Sequence, residues 1–147
     1  MSMSFICRHL RCRWSMLSWW AAACLGAPFA AGAAGVCVRL EAEDYVAAGG
    51  AEVRILERAV ASAGKTVSYW EDPGTWIDLV VDIPRTGTYL LAARYALAWP
   101  DTQRTLWIDG HELGVVTFNG TGSWDRFVER ELGLPPLTVT AGTHRIR

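Results

Sequence analysis

From position 36 onward, apolar residues recur at every second position in short runs, and the runs are bounded by Gly, Pro, Asn and Asp. This is the period of half-buried strands. Val36 to Ala42 opens the series and Lys65 to Trp70 is a second short strand. Trp76 to Ile83 is a third, stopped by Pro84, which has no amide hydrogen to give to a ladder. Thr88 to Ala96 sets Tyr89, Leu91, Ala93 and Tyr95 on one face and Leu90, Ala92 and Arg94 on the other. Arg104 to Ile108 leads into Asp109-Gly110, a two-residue hairpin signal because type I′ turns need positive φ at both centres. Val115 to Phe118 returns from that turn, and Trp124 to Leu132 and Thr143 to Arg147 complete the series. Only Ala51 to Ala63 breaks the pattern: Val53, Leu56, Ala59 and Val60 are spaced for a short helix, or the stretch is an irregular crossing loop. The predicted fold class is all-β, a β-sandwich over residues 36–147.

The first 34 residues read differently. None of the 15 acidic residues lies there, whereas three of the 14 basic ones do: Arg8, Arg11 and Arg13. With His9 they form the positive n-region of a secretory signal peptide. Trp14 to Ala27 supply its apolar h-region, and Ala31-Gly32-Ala33 its cleavage site. That apolar run is shorter than the roughly 20 residues a membrane-spanning helix needs. Residues 1–34 are therefore expected to leave on export, to the periplasm or the extracellular space, with no stable membrane insertion afterwards. Lipoprotein processing at Cys24 is the lesser variant, since Ala21 stands where a larger aliphatic residue is usual. Cys7, Cys12 and Cys24 leave with the leader. Cys37 alone remains, so the body holds no internal disulfide, and Cys37 is expected to pack as a small hydrophobe.

Hydrophobic residues make up 51% of the chain and charged ones 20%, which excludes a disordered segment. The body is net acidic and holds one lysine, Lys65, which excludes the basic patch of a nucleic-acid binder. His111 and His144 are its only histidines, and no nucleophile elbow, zinc-protease motif or phosphate loop occurs. Acid pairs such as Glu71-Asp72 and Glu129/Glu131 read most simply as solvated surface. Glu41 and Glu43 lie two apart on a predicted strand and share a face. Either both are solvated, or a hard divalent cation such as Ca²⁺ neutralises them. Five tryptophans fall in the body. Trp107 and Trp76 sit within strands and suit the core or a cleft wall, and Trp70, Trp99 and Trp124 lie at or beside loops. Arg54, Asp72 and Asn119 are possible polar rim groups.

An ordered set of motifs carries a resemblance. Leu40-Glu41-Ala42-Glu43-Asp44-Tyr45, Val67-Ser68-Tyr69-Trp70, Gly74-Thr75-Trp76-Ile77-Asp78 and Val81-Asp82-Ile83-Pro84 come first. Gly87-Thr88-Tyr89, Arg94-Tyr95-Ala96, Asp109-Gly110, Thr121-Gly122-Ser123-Trp124 and Ala141-Gly142-Thr143-His144 follow. Together they resemble carbohydrate-binding modules of families 6 and 35, over about residues 36–147. The resemblance implies a galactose-binding-like jelly roll that holds a polysaccharide or oligosaccharide without catalysis. It further implies structural Ca²⁺ on Glu41 and Glu43, and a sugar ring held between Tyr69 and Trp124 with Trp70 and Trp99 widening the platform. The resemblance implies that the module targets a secreted polysaccharide-active protein to its glycan, with an appended glycoside hydrolase or lyase domain as partner. The chain stops at Arg147 inside a predicted strand, before the segment that closes the family's sandwich, and so reads as a fragment or the N-terminal piece of a longer protein. The alternatives are a cell-surface adhesion sandwich that binds protein, and a small glycoside hydrolase with an acid pair in a pocket.

Overall fold

The computed structural model describes residues 2–9 as backbone and residues 36–147 in full. Two sheets pack face to face. The first is built from β1 (Ser2–His9), β2 (Cys37–Glu41), β7 (Gly87–Ala96), β10 (Val128–Glu131) and β11 (Leu137–Val139). The second runs β3 (Ala47–Gly49), β6 (Trp76–Ile83), β12 (Gly142–Ile146), β8 (Thr102–Ile108), β9 (His111–Phe118). Every pairing among them is antiparallel. A separate hairpin, β4 (Arg54–Glu57) with β5 (Lys65–Ser68), joins neither sheet.

The alternation read from the sequence is what the sandwich buries. Ile77, Leu79, Val81 and Ile83 of β6 point inward, as do Tyr89, Leu91, Ala93 and Tyr95 of β7, none more than 8% exposed. Leu106, Val116, Phe118 and Ile146 complete the second sheet's inner face. Tyr95 meets Phe118 edge to face across the sandwich, ring centroids 5.0 Å apart. Each such side chain taken out of water contributes about 1.5–3 kcal/mol before conformational entropy is set against it. At the Asp109-Gly110 turn both residues have positive φ, 49° and 81°, as a type I′ hairpin requires.

Four expectations change. Residues 51–63 hold no helix: Arg54 to Glu57 pair with Lys65 to Ser68 as a hairpin, because cross-strand ladder bonds outweigh a weak helical spacing. The strand expected from Trp124 begins only at Val128. Cys37 is exposed at the start of β2. Trp107 is only partly buried, because the period-two alternation of β8 turns Leu106 inward and Trp107 to the outer face. The first part of the predicted leader, Ser2–His9, forms a strand between β7 and β2, while its h-region and cleavage site lie outside the described residues.

One polar cluster pins the second sheet on its outer face. Asp78 of β6, 1% exposed, accepts two hydrogen bonds from Arg147, at 2.7 Å from Nε and 2.9 Å from Nη2, with Arg145 Nη1 at 3.4 Å. The Arg147 guanidinium also lies 3.8 Å from the Trp76 ring centroid. Those hydrogen bonds hold the Asp78 carboxyl below the ordinary Asp range against the opposing effect of burial, and the charges of Arg147 and Arg145 add to them. The resulting stability is present above the unfolded Asp value of about 3.9 and is lost as pH falls through the lower folded value. Asp78→Ala is expected to cost about 1–3 kcal/mol in urea unfolding near pH 7, since both arginines are part-exposed and rehydrate. The deficit should shrink at acid pH. A variant as stable as the parent near pH 7 would contradict this role.

Candidate functional site

At one rim of the sandwich the β4–β5 hairpin faces two loops, residues 97–101 and 119–127, across a cleft of about 280 Å³. Tyr69, Trp99 and Trp124 line it, with Leu56 as a further apolar contact and Arg58, Thr66, Ser68 and Glu71 as the polar ones. Trp99 and Tyr69 are 60% and 50% exposed, and Trp124 is half-buried against the core. Large aromatic rings this open to solvent are the informative exception to burial, since both lie in one concavity.

The two loops are fastened to each other. Thr121 donates its amide to Leu97 O at 2.7 Å, and its buried hydroxyl accepts from Leu97 N at 2.9 Å. Asp101 accepts from Gly120 N and from Asn119 Nδ2, both at 2.9 Å, and the Gly120 bond is the main reason its carboxyl sits below the usual range. Gly120 is required by close approach: a Cβ there would lie 2.6 Å from Trp99 O. This zip sets Trp99 against Trp124 edge to face, centroids 6.1 Å apart and planes at 82°.

Tyr69 is positioned differently. It follows β5 with φ of 59°, a left-handed conformation that is unfavourable for a bulky aromatic residue. This reverses the chain direction into the 71–75 loop while the ring stays at the cleft. The Arg54 guanidinium lies 4.7 Å from the centroid of that ring and is itself paired with Glu52 at 2.6 Å. The hairpin carrying Tyr69 is tied across the cleft by Arg58 Nη1 to Asp125 Oδ1 at 2.5 Å, and Arg94 Nη2 donates to Val60 O at 3.1 Å.

The structure thus brings Tyr69, Trp99 and Trp124 together, and the ring contact it makes is Trp99 with Trp124. Trp70 does not line this cleft and is mostly buried beside it: it is 7% exposed, its Nε1 donates to Thr75 O at 3.1 Å, and Arg104 packs on its ring and donates to its carbonyl, while its edge borders an adjoining concavity with Glu71, Trp99 and Trp124. The left-handed turn at Tyr69 sends the two neighbouring rings to opposite environments. Asn119 and Asp72 do not line the cleft, and Arg54 acts behind Tyr69. Glu71, Arg58 and Leu56 were missed as cleft residues. Glu71 reads as surface in sequence, and the other two lie in the stretch whose structure was ambiguous.

Glu41 and Glu43 do not share a strand face as expected, because β2 ends at Glu41 and Ala42–Asp44 form a 3-10 turn. Glu41 binds Arg39 Nε at 2.8 Å and accepts from Ser62 Oγ at 2.7 Å. Glu43 Oε1 is buried without a hydrogen-bond partner. Burial is the chief cause that raises its carboxyl, with the charges of Glu41 and Asp44 adding to it. The orphaned Glu43 oxygen is the kind of ligand a hard cation takes, whereas both oxygens of Glu41 are engaged by Arg39 and Ser62. No cluster of three or more metal-binding side chains occurs among the described residues.

A family model described as carbohydrate binding module (family 6) matches residues 41–147. Among solved structures, the chain resembles a family 35 carbohydrate binding module from Clostridium thermocellum at 22% identity, covering 71% of this chain and 80% of that one, TM-score 0.59. It also resembles the C-terminal family 6 module of LamC, a marine laminarinase from Zobellia galactanivorans, at 25% identity, covering 71% and 81%, TM-score 0.58. A third likeness is to a cycloisomaltooligosaccharide glucanotransferase from Paenibacillus sp. complexed with cycloisomaltoheptaose, at 21% identity and TM-score 0.58. It covers 71% of this chain but only 16% of that enzyme. No curated protein matches the sequence.

The strain at Tyr69 is directly testable. Tyr69→Gly removes the left-handed penalty of roughly 1–2 kcal/mol but gives part of it back as unfolded-state entropy. The variant is expected to melt at or slightly above the parent temperature. A loss of more than about 2 kcal/mol would show that the ring is a packing element.

Proposed function

The chain belongs to carbohydrate-binding module family 6, and we propose that the cleft between Tyr69, Trp99 and Trp124 is where it holds its glycan. Modules of this kind bind carbohydrate and are non-catalytic. The observation that carries the placement is the convergence of these three rings, two of them at least half exposed, on one concave space. Pyranose rings present flat C–H faces that pack on aromatic rings, while rim groups accept and donate to the hydroxyls. Glu71 is the acceptor of the lining, and Arg58 and Ser68 are its donors. A glycosidase typically sets two carboxyl groups across a scissile bond; among the described residues this cleft is lined by one carboxylate, Glu71.

Trp99→Ala is the cleanest probe, since this side chain is the most exposed of the three. Trp99→Ala, Trp124→Ala and Tyr69→Ala are each expected to cost at least about 2 kcal/mol of binding, or roughly thirtyfold in Kd. Trp107→Ala, outside the cleft, should leave Kd unchanged. Calorimetry against a panel of plant, algal and microbial polysaccharides reads this. Retained affinity in all three cleft variants would move the site elsewhere.

The wider role we propose is targeting: an exported protein, freed of residues 1–34, brought to its polysaccharide by this module and acting on it through an appended hydrolase or lyase domain. The basic n-region and the Ala31-Gly32-Ala33 site support export, to the periplasm or beyond. Exported material should begin near residue 35, and N-terminal sequencing that finds Met1 would contradict it.

We also propose a structural Ca²⁺ held by Glu41 and Glu43, supported by the unpartnered Glu43 Oε1. The cation would relieve a buried charge and stiffen the turn that links β2 to β3, with no part in chemistry. At free Ca²⁺ 100 times its Kd the gain is about 2.7 kcal/mol. The melting temperature should rise with Ca²⁺ and fall with chelator, and Glu43→Gln should abolish the response. A melting temperature indifferent to both would argue against a metal.

A further inference from the structure

The charged groups around the cleft are unevenly engaged. Arg58 lines the cleft, and its guanidinium is taken by Asp125 at 2.5 Å. Arg54 stands behind Tyr69 and is paired with Glu52 at 2.6 Å. Asp101 accepts from Gly120 N and from Asn119 Nδ2, each at 2.9 Å. Glu71 differs from all of these: among the described residues its carboxylate makes no hydrogen bond and no ion pair. Its charge is felt by Arg104, yet no ion pair closes between the two. The Arg104 guanidinium is committed instead to neutral acceptors, the Trp70 carbonyl, Gln103 O at 2.7 Å and Thr102 Oγ1 at 3.1 Å, and it packs on the Trp70 ring.

The fold sets that carboxylate where a glycan in the cleft meets it. Glu71 lines the cleft beside Tyr69, Trp99 and Trp124, and it also lines the adjoining concavity that Trp70, Asp101 and Arg104 border. It therefore stands at the junction of two neighbouring spaces. Its place is fixed by the residues around it. Tyr69 turns the chain with positive φ, Trp70 is anchored through its indole on Thr75 O at 3.1 Å and through Arg104, and Thr75 N closes the loop on Asp72 O at 3.1 Å. Glu71 leaves this anchored turn as an exposed side chain. An exposed carboxylate is ionised near pH 7.

We infer that Glu71 is a specificity-determining residue of the cleft, and that it selects uncharged glycans over those carrying carboxylate groups. The inference rests on the cleft being the sugar site. A neutral sugar satisfies Glu71 by donating hydroxyl hydrogens to it in charge-assisted bonds. A uronate in the same place brings a second anion to a wall whose cations are already engaged. That like-charge contact rejects it without touching the stacking on Trp99 and Trp124. Groups in contact lie within one Debye length at physiological salt, so the repulsion acts there and weakens as salt is raised. Two such charges at a protein surface discriminate by roughly tenfold in Kd.

The test titrates the full chain by calorimetry with cellohexaose, laminarihexaose and mannohexaose oxidised at C6 to the uronate, and with the methyl esters of the same products. Acid and ester differ in charge and little in shape, so the ratio of their Kd values isolates the charge. That ratio, acid over ester, is expected to be roughly tenfold in the parent, about one in Glu71→Gln and below one in Glu71→Lys. Added salt should shrink it in the parent. A ratio equal in the parent and in Glu71→Gln, or a parent that prefers the acid, would overturn the inference. Trp99→Ala separates this from the cleft itself. If Trp99→Ala weakens ester binding while the parent ratio is one, charge selection fails and the cleft stands. If Trp99→Ala leaves ester binding intact, the cleft is misplaced and the inference falls with it. Binding of none of these probes would overturn both.

Discussion

The molecule depends on the burial of two alternating rows, Ile77 to Ile83 on β6 and Tyr89 to Tyr95 on β7, against each other and against Phe118 and Val116. A strand has a side-chain period of two, so a register slip of one residue would turn either row out to solvent. That penalty fixes the pairing of β6 with β12 and β3 and of β7 with β10 and β11. Once the strands are fixed, their ends are fixed too, and the loops that leave them have little freedom in where they start.

The cleft is a consequence of those starting points plus a few local bonds. Leu97 ends the buried run that continues from β7, and the chain reaches Trp99 two residues later. The loop after β9 returns beside it and is locked there by Thr121, Asp101 and the bare Cα of Gly120. The opposite wall is a hairpin outside both sheets, held by Arg58 to Asp125 and by Arg94 to Val60. Exposed ion pairs contribute at most about 1 kcal/mol, so this wall is held chiefly by Val67 of β5, which is fully buried in the core.

Much of this was legible in sequence, and what was not has a physical reason. Strict alternation in Trp76–Ile83 and Gly87–Ala96 announced the core strands, and Asp109-Gly110 announced its hairpin, because both signals act within a few residues. Tyr69, Trp99 and Trp124 could be placed near loops. Trp70 could not be told from Tyr69, since the positive φ that separates them is a property of the folded turn and not of either residue type. Glu43 left its expected strand because the chain turns at Ala42, which is fully buried against the core. Leu56 and Arg58 belong to a hairpin whose helical spacing misleads until its partner β5 is seen. The short strands Ala47–Gly49 and Leu137–Val139 carry too few residues to show any period.

The central claim is that glycan enters between Tyr69, Trp99 and Trp124. Nuclear magnetic resonance of the indole N–H groups tests it most directly, because each body tryptophan reports from a different environment. On titration with a bound oligosaccharide, the Trp99 and Trp124 indole signals are expected to shift together and saturate. The Trp70 indole, hydrogen-bonded to Thr75 O, should stay in place, as should that of Trp107 on the other sheet's outer face. Movement of Trp70 or Trp107 while Trp99 and Trp124 remain still would contradict the account.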